Sequence, residues 1–449
     1  MSIIRTSAIA ACLLAWGTTQ AESTVLSMRE RAAVIDRWTN ERIQSVLPDL
    51  MRRAEIDFWL IISREYNEDP VIKTLLPATW QSARRRTILA VHDPGGEEPL
   101  ETLAIARYAV GDAFEKTWDK EQEPDQWARL VELIEERDPD TIGINISENF
   151  ALADGLASTE HRLLLENLPE RYHPRLRSAE ALAIGWLETR TPSEMEIYPQ
   201  VVRIAHEIIA EGFSEAVIQP GVTTTDDVAW WYRDRIRERG LTAWFHPSVS
   251  IQRADTPTAD FIAAFSSGEG ENVIRPGDLL HVDFGITYLR LNTDTQQHAY
   301  VLRPGEVDAP QELKAALATA NRLQDILTAA FKPGRTGNEI LAATLSQAEK
   351  EGIAAHVYSH PIGYHGHGAG PPIGLWDQQD GVPGRGDYPL YPNTAHSIEL
   401  NVRSQIDSWG REIRIMLEED AFFDGETVRY IDGRQTALML IPRPIENAR

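Results

Sequence analysis

Four carboxylates and one imidazole, Asp283, Asp294, His360, Glu399 and Glu418, follow one another along the C-terminal part of a 449-residue chain. They form a hard, oxygen-rich set of the kind that suits a pair of divalent cations. Several stand in segments patterned as strands, so a fold that uses them together has to bring those strands to one place. Leu280, Val282 and Phe284 alternate with His281, Asp283 and Gly285, as a half-buried strand requires, and Asp283 faces away from the apolar side. If the chain turns back near Tyr288 and Leu289, a symmetric antiparallel register sets Asp294 directly across from Asp283. Opposed carboxylates repel and raise one another's pKa unless a cation lies between them. Two solvated turn aspartates are the bland alternative for that pair taken alone. The full set points to a hydrolase.

Four of the twelve histidines, His356, His360, His365 and His367, crowd one short segment interleaved with Gly363, Gly366, Gly368 and Gly370. Imidazoles so close serve as ligands and proton carriers, and glycine permits close backbone approach. No His-Glu-x-x-His pair is present, which excludes a helix-borne zinc site of that type. Asp283-Phe284-Gly285 mimics a kinase metal triplet, but neither a glycine-rich phosphate loop nor a His-Arg-Asp motif accompanies it. Further on, Ser397-Ile398-Glu399-Leu400 alternates polar and apolar. In the last long strand Ile413, Ile415, Leu417, Ala421 and Phe423 share one phase, with Glu418 on the other face beside Arg414 and Met416. Glu419 intrudes into the apolar phase and needs a partner elsewhere.

Upstream, helical spacing from Leu26 to about Leu50 precedes strand candidates at Ile56 to Ile62, Thr87 to Val91, Thr102 to Tyr108 and Thr141 to Ile146. A helix at Asp125 to Glu136 stands before the last of these. Helices alternating with strands indicate an α/β unit with a mixed sheet. Thr189 to Glu194, with Pro192 suited to a first helical turn, places a domain boundary near residue 188. Amphipathic helices follow from Met195 and from Thr225, then strands at Leu279 to Thr287 and Thr293 to Leu302. Two more helices, about Gln311 to Phe331 and Gly337 to Glu351, lead to strands near Val357, Ala395 to Val402 and Glu412 to Phe423. Thr336 and Glu339 have capping-box spacing.

Met1 to Arg5, the apolar Ala8 to Trp16, and Thr19-Gln20-Ala21 read as a signal peptide cut after Ala21, which predicts a periplasmic or secreted protein. A retained N-terminal helix and a lipoprotein cut at Cys12 are the alternatives. Cys12 is the only cysteine, so thiol catalysis and cysteine-based zinc sites are excluded from the mature chain. The net charge is −24, and loss of Arg5 makes it one unit more negative. Such an excess of acid argues strongly against nucleic acid or anionic membrane as a partner. No apolar run is long enough to span a membrane once the signal is removed.

Taken in order, these residues resemble the pita-bread metallopeptidases: methionine aminopeptidase, prolidase and Xaa-Pro aminopeptidase, with creatinase as a metal-free relative. The resemblance is weak from residue 26 to 185 and clear from 190 to 440. It rests on Asp283-Phe284-Gly285, on Asp294 eleven residues on, and on His356, His360, Gly363 and His367 at the spacing of the proline-specific members. Glu399 after a short apolar strand and Leu417-Glu418-Glu419-Asp420 complete it. It implies an α/β N-terminal creatinase-like domain over residues 22–188, then an α+β pita-bread catalytic domain over 189–449. It also implies two divalent ions on Asp283, Asp294, His360, Glu399 and Glu418, with Mn²⁺ first and Zn²⁺, Co²⁺ or Fe²⁺ as alternatives. Glu399 would take the proton from the attacking water, and His367, helped by His356, would serve the substrate carbonyl. The expected activity is that of an aminopeptidase or dipeptidase on short Xaa-Pro-like peptides, in a chain that could work as a homo-oligomer. Gly366-His367-Gly368-Ala369-Gly370 also resembles the methionine aminopeptidase ligand loop, a register that would make His367 the ligand.

The chain departs from this family around the ligands, not at them. Phe265-Ser266 stands where a histidine is usual, Thr295-Gln296-Gln297 replaces Thr-Arg-Thr, and Leu400-Asn401 replaces Pro-Gly. A Pro- and Gly-rich insert, Pro371 to Asn393 with Trp376, separates His367 from Glu399. Two rival readings are a non-peptide hydrolase on the same scaffold and a binding protein that kept the shell and lost catalysis. Unused carboxylates clustered in a cleft would be costly, which weighs against the second.

Overall fold

The computed structural model describes residues 25–96, 98–254 and 272–443. The expected export segment with Cys12 and the Phe265-Ser266 position lie outside the described residues. Among those described, no helix is long and apolar enough to cross a membrane.

The apolar run at Phe58–Arg64 becomes the central part of a six-stranded mixed sheet. It is antiparallel to Arg86–His92 and parallel to Ile142–Ile144. A strand with no polar alternation must be covered on both faces. Phe58, Leu60 and Ile62 share a core with Trp127, Leu130 and Ile134 of the helix Gln126–Arg137. Trp59 and Ile61 share the opposite core with Leu50 of the helix Leu47–Arg53 and with Leu182 and Trp186 of the helix Glu180–Glu188. The result is the expected α/β unit.

The helix Pro192–Gly212 opens the second unit. Thr191 caps it and Glu194 returns a bond to the Thr191 amide, while Pro192 fills a first-turn position that needs no N–H. Val201, Ala205 and Ile208 of this helix, with Val228 and Tyr232 of the helix Thr225–Glu238, bury the Leu280, Val282 and Phe284 side of the strand Leu279–Phe284. That strand lies in a four-stranded sheet ordered Met439–Ile441, Thr295–Val301, Leu279–Phe284 and Ser248–Gln252. A second core joins the helices Gln311–Ala329 and Gly337–Lys350 to the apolar phase of Arg411–Leu417. The Thr336–Glu339 capping box forms as its spacing predicts.

Between these cores the chain makes a bend that positions the site. The expected strands Ala395 to Val402 and Glu412 to Phe423 are each interrupted. Thr394–Ser397 and Asp420–Phe423 pair in one sheet, and Leu400–Ile406 and Arg411–Leu417 pair in another. The register is the same on both sides of the interruption, so Ile398-Glu399 and Glu418-Glu419 form one bent ribbon. Ile398 N bonds Glu419 O across the bend at 3.0 Å. Glu399 and Glu418 therefore oppose each other there.

The predicted register around Asp283 requires correction. Phe284 pairs with Thr295 and Asp283 with Gln296, so Asp294 lies diagonal to Asp283, not opposite it. The turn falls one residue later than expected, at Leu289 and Arg290, which both take positive φ, 54° and 66°. Thr287–Tyr288 then pairs with Leu291–Asn292. A two-residue turn of this type usually advertises itself by Asn or Gly. Leu-Arg gives no such signal, and a one-residue error in the turn displaces the pairing by two.

A buried ionic contact joins the two units next to the histidine-rich segment. Arg42, on the helix Met28–Ser45, meets Glu194 at 3.0 Å and donates to the Thr189 carbonyl. Glu194 also accepts from the Tyr364 hydroxyl at 2.6 Å.

Candidate metal centre

Asp283, on its strand's polar face, and Asp294, just before Thr295–Val301, come together with Glu418 from the bend. His360, at the start of the strand His360–Ile362, joins Glu399 and Glu418, and Asp294, His360 and His367 form a third group. Within each group the candidate donor atoms all lie within 4.8 Å of one another. His360 Nε2 is 3.2 Å from Glu418, 3.5 Å from Asp294 and 3.9 Å from Glu399. Its Nδ1 donates to the Pro361 carbonyl at 3.0 Å. That bond fixes the tautomer and leaves Nε2 as the donor atom facing the carboxylates, the usual arrangement of a ligand histidine.

The electrostatics fit a cation. Burial, then the charge of Glu418, pushes the carboxyls of Asp283, Asp294 and Glu399 well above the ordinary range. Burial pushes the His360 imidazole down, but bonds and charge from Asp294 and Glu418 push it further up. Asp294 Oδ1 is buried with no hydrogen-bond partner. Buried carboxylates crowded together, one with an orphaned oxygen, are costly unless a cation compensates them. The donor set is one that divalent metals accept.

The surrounding side chains hold these groups in place. Ser397 Oγ donates to Glu418 at 2.6 Å, and Ser359 Oγ accepts from the Glu399 amide while donating to its carbonyl. The Asp294 amide points at the Asp420 carboxylate. Glu419, whose apolar phase demanded a partner, finds His206 at 2.8 Å and Gln297 at 2.8 Å. His206 also meets Asp432 at 3.2 Å. Burial works against the charge on His206, yet Glu419 and Asp432 push its imidazole up to about 10.

His367 stands exposed beside the donors, its ring 4.8 Å from that of His360 and 5.3 Å from that of Trp244. Burial of part of the ring, and then the neighbouring His360, push it down to about 4. Its imidazole is therefore neutral near pH 7. His356 is not brought into any of the three groups. Its Nε2 donates to the Trp376 carbonyl at 2.6 Å, which places it against the Pro- and Gly-rich insert.

One site neighbour, Trp244, escaped the sequence reading, and another, Gln296, was marked there only as a departure. Trp244 leans over the centre, and Gly285 and Gly366 are required beside it, since a Cβ at either would fall 2.3–2.4 Å from its ring. Gln296 lies between the two glutamates, its Nε2 2.5 Å from Glu399 and 2.7 Å from Glu418. A signal for Gln296 was present: two residues past Asp294 on a strand, it shares the aspartate's face.

Residues 200–421 match the model of metallopeptidase family M24. No curated protein matches the sequence. Among solved structures, the X-Pro aminopeptidase of Thermotoga maritima MSB8 has a TM-score of 0.61 at 19% identity, covering 87% of this chain and 99% of its own. The Xaa-Pro dipeptidase of Bacillus anthracis has a TM-score of 0.59 at 17% identity, covering 92% and 100%. The prolidase of Pyrococcus horikoshii OT3 has 0.54 at 15%, covering 90% and 99%. The chain is thus built on the pita-bread fold, and its residues 200–421 carry the similarity to metallopeptidase family M24.

Proposed function

We propose that this metal-dependent peptidase is a two-metal aminopeptidase or dipeptidase acting on short peptides of the Xaa-Pro type. The observation that carries the proposal is the convergence of Asp283, Asp294, His360, Glu399 and Glu418 around the unpartnered Asp294 oxygen. These residues would hold two divalent cations, Mn²⁺ first, which when bound supply Lewis acidity to the scissile carbonyl and to the attacking water. Glu399 is half-buried where Glu418 is fully buried, so it is the glutamate that water reaches, and it takes the proton water gives up. His367, neutral and exposed beside the donors, donates a hydrogen bond to the oxygen that gains charge. His356 holds the insert at Trp376 and takes no proton in this scheme. The Xaa-Pro class is supported by the structures of similar fold, which are named for such substrates.

The test is a hydrolysis assay on metal-loaded protein with paired Xaa-Pro and non-proline di- and tripeptides. Metal-dependent cleavage with preference for proline is expected. Cleavage of the non-proline members alone would overturn the substrate class, and cleavage of none would overturn the peptidase reading.

We further propose export, with cleavage after Ala21. The positive start, apolar stretch and small residues ending at Ala21 support it. Sequencing protein from the native cell should give Glu22 first, and an intact Met1 or Ser2 would end the proposal.

A further inference from the structure

Gln296 is buried, and its backbone is paired in both directions with that of Glu418, at 3.0 and 3.2 Å. Its side chain reaches the same face as Asp294 and stands opposite Asp283. The chemistry of its neighbours fixes which way the amide points. Both carboxylates only accept, so the nitrogen must face Glu399 and Glu418. The oxygen then accepts from His281 Nε2, 2.9 Å away. Each of the two amide hydrogens is committed to one glutamate.

Two consequences follow. Glu399 and Glu418 oppose each other across the bent ribbon, where like charges repel, and a donor shared between them offsets that repulsion. The shared donor also ties down Glu399 Oε1 and Glu418 Oε2, leaving Glu399 Oε2 and Glu418 Oε1 turned toward His360. A long side chain free to rotate loses entropy when an ion fixes it, and one already held does not.

We infer that Gln296 is a positioning residue that presents Glu399 and Glu418 to the ions without touching them, an inference that rests on the two-metal reading above. It assigns a task to a position where this chain departs from its family's usual Thr-Arg-Thr.

The test is Mn²⁺ titration of metal-free full-length protein, read by calorimetry and by the electron paramagnetic signal of free Mn²⁺. Gln296→Met keeps the side chain's length and removes the donor. It is expected to weaken Mn²⁺ binding about 10–100-fold, the range for lost outer-shell partners, while the circular dichroism spectrum stays that of the parent. A mere packing role would leave the affinity unmoved, so equal dissociation constants overturn the inference. Should the methionine variant fail to fold, Gln296→Asn retains an amide one methylene short of bridging both glutamates. Parental affinity in that variant overturns the inference equally. Absence of Mn²⁺ binding by the parent protein would remove the metal centre itself, whereas equal binding by parent and variant removes only the role of Gln296.

Discussion

Replacing Asp294 by alanine is expected to leave a folded protein that holds little divalent metal and has lost its peptidase turnover. Asp294 belongs to two of the three close donor groups, one with Asp283 and Glu418 and the other with His360 and His367. Lewis-acid assistance is worth several kcal/mol, so its loss should reduce turnover by about 10³-fold or more. The metal-free fold should not suffer in the same way. Burial and Glu418 hold the Asp294 carboxyl above its ordinary range, so at neutral pH this group disfavours the metal-free folded state. The alanine variant should therefore melt no lower than the metal-free parent. It should also lose the rise in Tm that metal gives the parent, which corresponds to about 2.7 kcal/mol when free metal is 100-fold above Kd. Glu419→Gln is the control: Glu419 faces His206 and Gln297, away from the donors, and its variant should keep the metal. Parental metal content in Asp294→Ala by elemental analysis would refute the assignment.

Much of this site was legible because strand alternation assigns faces. The phase of Leu280, Val282 and Phe284 put Asp283 on the polar side, and those three residues are buried against the helices Pro192–Gly212 and Thr225–Glu238. The same reasoning placed Glu418 apart from Glu419 and required a partner elsewhere for the latter, which is His206. The first-turn preference of Pro192 and the capping-box spacing of Thr336 and Glu339 located two helix starts. Each of these signals is local, within a few residues of the feature it predicts.

What escaped depends on contacts between distant segments. The bend at Glu399 and Glu418 leaves the pairing register intact, so nothing in either strand's own pattern marks it. It arises where Tyr358-Ser359, Ile398-Glu399 and Glu418-Glu419 pass together from one sheet to another. The Leu289–Arg290 turn lacks the residues its backbone would prefer, and Arg290 is held instead by the Thr74 and Leu76 carbonyls of the first unit. Trp244 precedes Asp283 by a long stretch of chain, and only the close approach allowed by Gly285 and Gly366 brings it to the centre. His356 has the spacing of a helper, yet the insert after Gly370 supplies the Trp376 carbonyl that takes its Nε2. An insert changes a neighbour's partners without changing the motif.

The two remaining histidines separate by what their loss should do. His360 is buried, its Nδ1 is committed to a backbone carbonyl, and its Nε2 lies among three carboxylates. His367 is exposed, belongs to one donor group only, and packs edge-on against both His360 and Trp244. His360→Ala is therefore expected to lose metal and turnover together, because it removes a donor. His367→Ala should keep its metal while turnover falls about 10²–10⁴-fold, the range for acid–base or hydrogen-bond assistance at a reacting group. The fall should appear mainly in kcat, since a bond that strengthens as the carbonyl oxygen gains charge contributes most in the transition state. The opposite pattern, with metal lost from His367→Ala and kept in His360→Ala, would adopt the register of the Gly366-His367-Gly368 loop and exchange the two roles. Elemental analysis of both variants, alongside kcat and KM on one cleaved peptide, decides between them.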